Sequence, residues 1–393
     1  MRSNLVLAGL LAGTAGPGAA ATLLVTSLGD GAGLCPSASS CTLRAAVLAA
    51  NADDRIEFDP GLGFPATLTL TDGELAVSRN LTVAGPGSGA LTVRAATNSR
   101  VITLTAGTLT LEDLTLDRGR AVGTNGMNGT NAGQGEGGAA AEGGCITAAP
   151  GTQLTLERSA LRDCIAQGGS GGNGGDGAAG ANGGVGGLGG TGGDARGGAI
   201  FSRGQVTLSD SSISESSALG GDGGDGGDGG PGSSTEGTGG AGSVGGVGRG
   251  GAIALTGTAA LVIRNSTLLG NLSRGGGGGD GGAGGNGAAI GQGIGGAAGS
   301  GGAARGGQVF IDATVQLADF EFASLGPSAM GGGVGGSGGA GSPAGTNGPS
   351  GATQGELLFT LATTRIRSAI FVGDFAVADC QGSVMASGAN LDS

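Results

Sequence analysis

Three features predict an all-β chain wound as a coiled parallel β-helix: glycine-rich blocks recurring at one phase, strand-like segments between them, and turn residues punctuating those segments. The second Gly of the doublet closing each block falls at Gly144, Gly198, Gly251 and Gly307, at spacings of 54, 53 and 56 residues. Between the blocks lie Cys145 to Gln167, Ala199 to Leu219, Ala252 to Arg274 and Gln308 to Met330, rich in Thr, Val, Ile and Leu that alternate with period two. An antiparallel sandwich fits the strand lengths, but a fixed period with one insertion per repeat favours stacked rungs sharing a continuous core. With 99 Gly and 10 Pro in 393 residues, low complexity would be the default reading, and the uneven placement of the Gly overturns it for the core.

The elements follow in order. Residues 1–21 read as a secretory signal peptide: Arg2, the apolar run Leu5 to Leu11, and small residues ending Ala19-Ala20-Ala21, with cleavage expected between Ala21 and Thr22. Residues 22–54 form an N-terminal cap, with a strand over Thr22 to Ser27 and a helix over Cys41 to Asn51, where Leu43 and Val47 share a face and Asn51 suits the C-terminus. The cap shields the first strand edge, which would otherwise pair with other chains. Residues 55–118 are coils of short strands broken at Gly, Asp, Asn or Pro. Residues 119–355 are coils carrying insertions at 119–144, 168–198, 220–251, 275–307 and 331–355, and residues 356–393 are the last coils. Within the repeats, Leu161 to Cys164, Ile213 to Ser216 and Leu268 to Asn271 occupy equivalent places, with Phe322 next in line. An apolar residue followed three later by a small polar one marks an inward side chain and then a turn.

Five cysteines in an exported chain imply disulfides and one remaining thiol. Cys35 and Cys41 bracket a short loop and are expected to pair. Cys145 and Cys164 lie 19 residues apart, so at about 20 residues per turn they meet on neighbouring rungs about 4.8 Å apart, within disulfide reach. Cys380 is then left unpaired.

Composition excludes several functions. The net charge is -12, all 18 basic residues are Arg, and a polyanion needs a basic face, so nucleic acid is not an expected partner. Without His, no side chain has an ordinary pKa between pH 5 and 8. No stretch of the mature chain reaches the ~18 apolar residues of a spanning helix, since Arg365, Arg367 and Asp374 break Leu357 to Val377.

Cys41-Thr42-Leu43-Arg44-Ala45-Ala46, then Ala49-Ala50-Asn51 and Arg55 to Pro60, resemble the N-terminal region of exported bacterial proteins named for a Cys-Ser-Leu-Arg-Glu-Ala (CSLREA) motif. Thr42 replaces Ser and Ala45 replaces Glu, and the resemblance runs on from Val25 to Gly119. It implies a right-handed parallel β-helix. The GGAI units are similar to repeats of polymorphic outer membrane proteins, whose FxxN partner survives here as Leu268 to Asn271. Asp379 to Gly382 and Ser387 to Leu391 resemble a segment that in such proteins leads to a further Cys, which implies a truncated C-terminus and a missing partner for Cys380; the alternative is a free, buried thiol.

The blocks run as GGx triplets, as in Gly220 to Gly230, and resemble the glycine-rich (PGRS-type) domains of mycobacterial surface proteins, without the PE-type helical domain. Three residues per turn is the polyproline II period, whose polyglycine form aligns every third side chain on one edge. Blocks leaving the coil at one phase are expected to lie over one another as a layer of hairpins. Five disordered loops are the alternative, because ordering Gly costs backbone entropy.

Chemistry is sparse. GGxGxD recurs at Gly171 to Asp176, Gly220 to Asp225 and Gly275 to Asp280, but the apolar residue of a calcium nonapeptide is missing. Asp222, Asp225 and Asp228 would stand about 9 Å apart along such a helix, too far to share one Ca²⁺. Asp53, Asp54, Glu57 and Asp59 form the densest carboxylate cluster, a weak glycosidase candidate, since Asp59-Pro60 reads as a turn and no Trp or Tyr offers a stacking platform. No phosphate loop exists without Lys. The sequons at Asn80, Asn128, Asn265 and Asn271 read as coincidences of Ser- and Thr-rich turns. No cofactor, metal or catalytic residue is expected. The function expected is a secreted or cell-surface structural, adhesin-like protein that meets a host or neighbouring-cell surface component or an extracellular glycan. The alternatives are a polysaccharide-active β-helix enzyme and an ice- or surface-binding polyglycine layer.

Overall fold

The computed structural model describes residues 20–392 except 32, 37–39, 97, 288–290, 313–316, 322, 327, 368–369, 372–379 and 388–390. The chain is a right-handed parallel β-helix. Three long sheets of ten, nine and eight strands form its walls, and every pairing within them is parallel. One coil runs through Ile146–Ala148, Gln153–Glu157, Ala160–Arg162 and Ile165–Gln167 before its insertion leaves. The insertion returns through Ala195–Arg196 and the next coil begins at Ile200–Ser202.

Alternation places one side chain in two inside, and exact register stacks like on like. Leu111, Leu156, Leu208, Ile263, Phe320 and Ile366 form one buried column, and Ile102, Ile146, Ile200, Ile253, Val309 and Leu358 another. The column from Leu161 through Ile213 and Leu268 continues to Leu325, not to Phe322, which lies outside the described residues. The step from Leu268 to Leu325 is 57 residues, longer than the 52 and 55 of the two steps before it.

The corners are tight because single residues take the left-handed conformation. Asp113, Arg158, Asp210 and Asn265 stack at one corner with φ of 54, 48, 51 and 43°. Each costs an L-residue about 1 kcal/mol or more, a cost that stacking and side-chain bonds offset. Beside them, Ser159 and Ser211 amides donate to the Ser211 and Ser266 hydroxyls at 3.2 and 3.1 Å. At the other corner the Cys164 amide donates to the Ser216 hydroxyl and the Ser216 amide to Asn271 Oδ1 at 2.8 Å. The small polar residues of the repeat therefore carry the backbone pairing around corners where strands cannot.

The cap helix spans Leu43–Ala49, shorter than Cys41 to Asn51. Thr42 is its N-cap, accepting from the Ala45 amide at 3.1 Å, and it ends at Ala50 because the Asn51 amide is taken by Asp54 Oδ2 at 2.7 Å. Asp54 also accepts from the Ala21 amide at 2.7 Å, and these two bonds hold its pKa below the usual carboxylate value. Arg44 ties the helix to the first coil through Asp30 and the carbonyls of Gly73 and Glu74.

Cys35 is bonded to Cys41, and Cys145 to Cys164 with Cα atoms 5.3 Å apart. The second bond closes one turn of coil where an insertion leaves. Cys380 takes part in neither. Two disulfides fit an oxidising, extracellular setting. Among the described residues no helix is long and apolar enough to cross a membrane.

Leu208→Ala, in the middle of a buried column, is expected to cost about 2 to 5 kcal/mol. Denaturant unfolding followed by circular dichroism measures it.

Candidate polyglycine platform

The described residues of the five insertions form a two-layer, hydrogen-bonded bundle. Outgoing arms continue the strands Arg120–Val122, Ile165–Gln167, Ser217–Leu219, Leu272–Arg274 and Ala329–Gly331, which make one five-stranded sheet. Returning arms end in Ala141–Glu142, Ala195–Arg196, Gly248–Arg249, Ala304–Arg305 and Thr353–Gln354, which make another. The doublet that ends each return has its first Gly in the left-handed region, with φ of 59, 64, 64, 63 and 62° at Gly143, Gly197, Gly250, Gly306 and Gly355. In the fifth return Glu356 stands where the second Gly would be, which hid that closure from the doublet pattern.

Each GGx triplet has a division of labour, seen clearly from Gly223 to Asp228. A Cβ on the first Gly would meet the returning arm of its own hairpin, as at Gly226, 2.0 Å from the Gly240 carbonyl oxygen. A Cβ on the second would meet the preceding outgoing arm, as at Gly224, 2.0 Å from the Gly172 oxygen. Only the third position faces out. The amides divide likewise. Gly226 donates to the Asp280 carbonyl of the next arm at 2.8 Å, and Gly227 to Gly187 of the preceding return at 2.9 Å. Main-chain bonds in two directions thus satisfy two amides in three.

The third amide distinguishes the two faces. At most positions of the outgoing face it donates to an Asn or Asp side chain of the preceding rung, whereas the Asp222 and Val334 amides, which follow Ser170 and Gly277, have no such acceptor among the described residues. Asn173 donates to Asn128 Oδ1, Asp225 to Asn173, Asp280 to Asp225 and Ser337 to Asp280, at 2.9, 3.0, 2.8 and 2.6 Å. A parallel row runs from Asp176 to the Asp228 amide and from Asp228 to the Ala283 amide. The Asp residues of the GGxGxD segments thus serve as acceptors for backbone donors. Among the described residues no group of three or more His, Cys, Asp or Glu could hold a metal ion.

The return face is built otherwise. Its outward residues fall in rows in register: Thr191, Val244, Ser300 and Pro349 in one, Leu188, Ala241, Ala297 and Thr346 in the next, and Val185, Thr238, Ile294 and Pro343 in the third. None is charged, and Val185, Leu188, Val244 and Ile294 are 59, 50, 45 and 49 % exposed. Among the described residues, the outward amides of Leu188, Thr191, Ala241, Val244, Ile294 and Ala297 have no protein acceptor.

Charge returns only at the root, where the face joins the coil. Asp194 accepts from Arg196 and Arg249 and from the Val247 amide at 2.8 Å, while Glu142 pairs with Arg196 and Arg203. Burial alone would raise the Asp194 pKa, but the bond from Arg249 and the Val247 amide outweigh it and hold the pKa low. Arg203, Arg249 and Arg305 lie over Phe201, Phe310 and Phe359, with 4.6, 5.8 and 5.5 Å from guanidinium carbon to ring centroid.

The carboxylate cluster near the N-terminus is dispersed. Asp54 is buried in cap bonds, Glu57 pairs with Arg55, Asp53 accepts from Asn80, and Asp59 caps the turn at Gly61. Each has a structural partner. Of the sequons, Asn271 is buried, with its amide nitrogen on Gln308 and on the Ile213 carbonyl.

No family model matches the chain, and no curated protein matches it. Among solved structures it is similar to a springtail antifreeze protein from Granisotoma rainieri, a bundle of nine polyproline type II helices whose crystal waters match the ice lattice. That likeness is 24 % identical over 59 % of this chain and 94 % of that one, with a TM-score of 0.19. It is also similar to the PL6 family alginate lyase AlyGC, at 11 % identity over 95 % of this chain and 40 % of the lyase, with a TM-score of 0.39. A third likeness, to ORF18 of Geobacillus virus E2, is 7 % identical over 86 % of this chain and 54 % of that one, with a TM-score of 0.24.

Gly224→Ala is expected to destabilise the bundle by about 1 to 3 kcal/mol or more, since a backbone must move. Asp225→Ala, which frees the exposed Asp280 amide and the exposed Asn173 side-chain amide, should cost about 1 kcal/mol or less. Hydrogen exchange of the bundle amides separates the two. Because the folded pKa of Asp194 is depressed, its stabilisation is present above the ordinary value near 3.9 and is lost as pH falls through the folded pKa. Asp194→Asn should therefore be less stable than wild type at pH 7 and lose less on acidification, as thermal melts at both pH values would show.

Proposed function

We propose that the protein is an exported, non-catalytic adhesive scaffold that applies the return face of its polyglycine bundle to an ordered extracellular surface rich in hydrogen-bond acceptors. The observation that carries this reading is the uncharged grid of outward amides and small or apolar side chains. Residues recur at about 9.3 Å along each arm and about 4.8 Å between arms. Backbone bonding in two directions holds the grid flat, so little entropy is lost when a flat partner meets it. Apolar side chains supply contact area and unpartnered amides supply donors, a combination suited to the hydroxyls of a packed glycan sheet. The outgoing face carries the Asp residues and has most of its outward amides bonded to them, so it keeps the platform soluble and turned one way.

A second reading takes ice as the ordered surface. It is favoured by the same unpartnered amides, interleaved with Thr191, Thr238 and Thr346, which would hold a first layer of water at fixed intervals.

Co-sedimentation with crystalline cellulose and chitin, beside measurement of thermal hysteresis, tests both. Leu188→Asp with Val244→Asp should lower binding or hysteresis at least about tenfold, while Asp225→Ala leaves it unchanged. Equal activity of the wild type and the return-face variant would sink the platform reading. Release of reducing or unsaturated ends from acidic glycans would replace the scaffold with an enzyme.

A further inference from the structure

Away from the bundle surface, a corner of the coil carries a cationic cleft on an otherwise acidic protein. It lies where the second wall gives way to the outgoing strands, with a volume of about 340 Å³, and is lined by Arg118, Gly119, Arg120, Asp163 and Ile165. That volume falls in the range of small-ligand sites. Arg118 and Asp163 sit one above the other, both left-handed, with φ of 55 and 54°. The turn throws both side chains outward.

The charges at this corner do not cancel. Asp117, 1 % exposed at its side chain, is shared by Arg94 at 2.7 Å, Arg162 at 3.3 Å and Arg118 at 3.9 Å. Arg118 is the most distant and most exposed of the three. Arg120 forms no ion pair among the described residues. One of its terminal nitrogens donates to Gln167 at 2.6 Å, and its Nε is buried with no acceptor. The Nε lies beneath the surface, so it is the other terminal nitrogen, with no acceptor among the described residues, that can serve a ligand in the cleft. Four arginines therefore face two carboxylates, within a chain of net charge -12.

We propose that this cleft binds an acidic sugar residue, taking its carboxylate on Arg118 and Arg120 and its hydroxyls on Asp163. A guanidinium fork matches a planar carboxylate with two parallel bonds. Asp163 faces the cations and disfavours a bare anion, whereas a sugar ring offers hydroxyl donors to it. Ile165 gives the ring an apolar edge. The next corner carries Glu215, Gly270 and Ser217, with no cation, so the site accommodates one acidic residue rather than a charged row. This site is independent of the return face and of the scaffold reading.

Isothermal titration of the full chain with a galacturonate trisaccharide, the matching neutral galactose trisaccharide and sodium sulfate tests the proposal. The uronate should bind, with affinity falling as salt screens the pair, and the neutral sugar should not. Arg118→Gln and Arg120→Gln should each weaken uronate binding at least about tenfold, or 1.4 kcal/mol. Asp163→Asn should weaken the uronate while strengthening sulfate. Sulfate binding as tightly as the uronate, a neutral sugar binding equally, or unchanged uronate affinity in both Arg variants would overturn it. Should Arg120→Gln fail to fold, the exposed Arg118 carries the test, with melting by circular dichroism as the control. The return-face variant should bind the uronate normally, so failure here and failure of the platform are separable.

Discussion

Close approach of bare backbones is the constraint on which the rest of this structure depends. Carbonyl oxygens of neighbouring arms lie about 2 Å from where a Cβ would stand on most inward glycines, as at Gly172, Gly224 and Gly279. No other residue fits there without moving a backbone. That closeness lets amides bond in two directions, and the enthalpy so gained opposes the large entropy of ordering glycine. A single hairpin of this kind would have few partners. Five fit together because the coil delivers them at one azimuth and one rung spacing.

Coil and bundle therefore stabilise one another. Stacked Leu, Ile and Val columns fix the rung spacing, and the root of Arg, Asp, Glu and Phe clamps the returning arms onto the third wall. Repeat proteins gain stability largely from nearest-neighbour contacts. Here each added repeat brings a coil interface and a bundle interface together. The bundle's faces are then free to differ, since the third residue of each triplet touches nothing inside. One face uses that freedom for an Asn and Asp ladder that closes most of its amides. The other leaves amides open among small and apolar side chains.

Much of this was legible in the chain. Period-two alternation located the wall strands, the doublets at Gly144, Gly198, Gly251 and Gly307 located the returns, and the triplets pointed to a three-residue helix. The fifth return was hidden by Glu356, and Leu325 by a longer step. The cap helix is shorter than its apolar pattern, because Thr42 caps the Ala45 amide at one end and Asp54 takes the Asn51 amide at the other. The GGxGxD segments resembled a metal motif, yet their carboxylates bond to amides one rung away, a relation across 52 to 57 residues that no local pattern contains.

The sequence by itself determined the periods: two for the walls, three for the arms and some 54 residues for the rung, because each is a local rule about which side chains may face inward. Only the tertiary structure decided which arms became neighbours. That choice made one face of the bundle acidic and largely closed and the other uncharged and open, and it gathered Arg118, Arg120 and Asp163 at one corner. The reason is physical. Side-chain spacing along a chain is fixed by covalent geometry, whereas lateral partners are set by the register in which separate rungs stack.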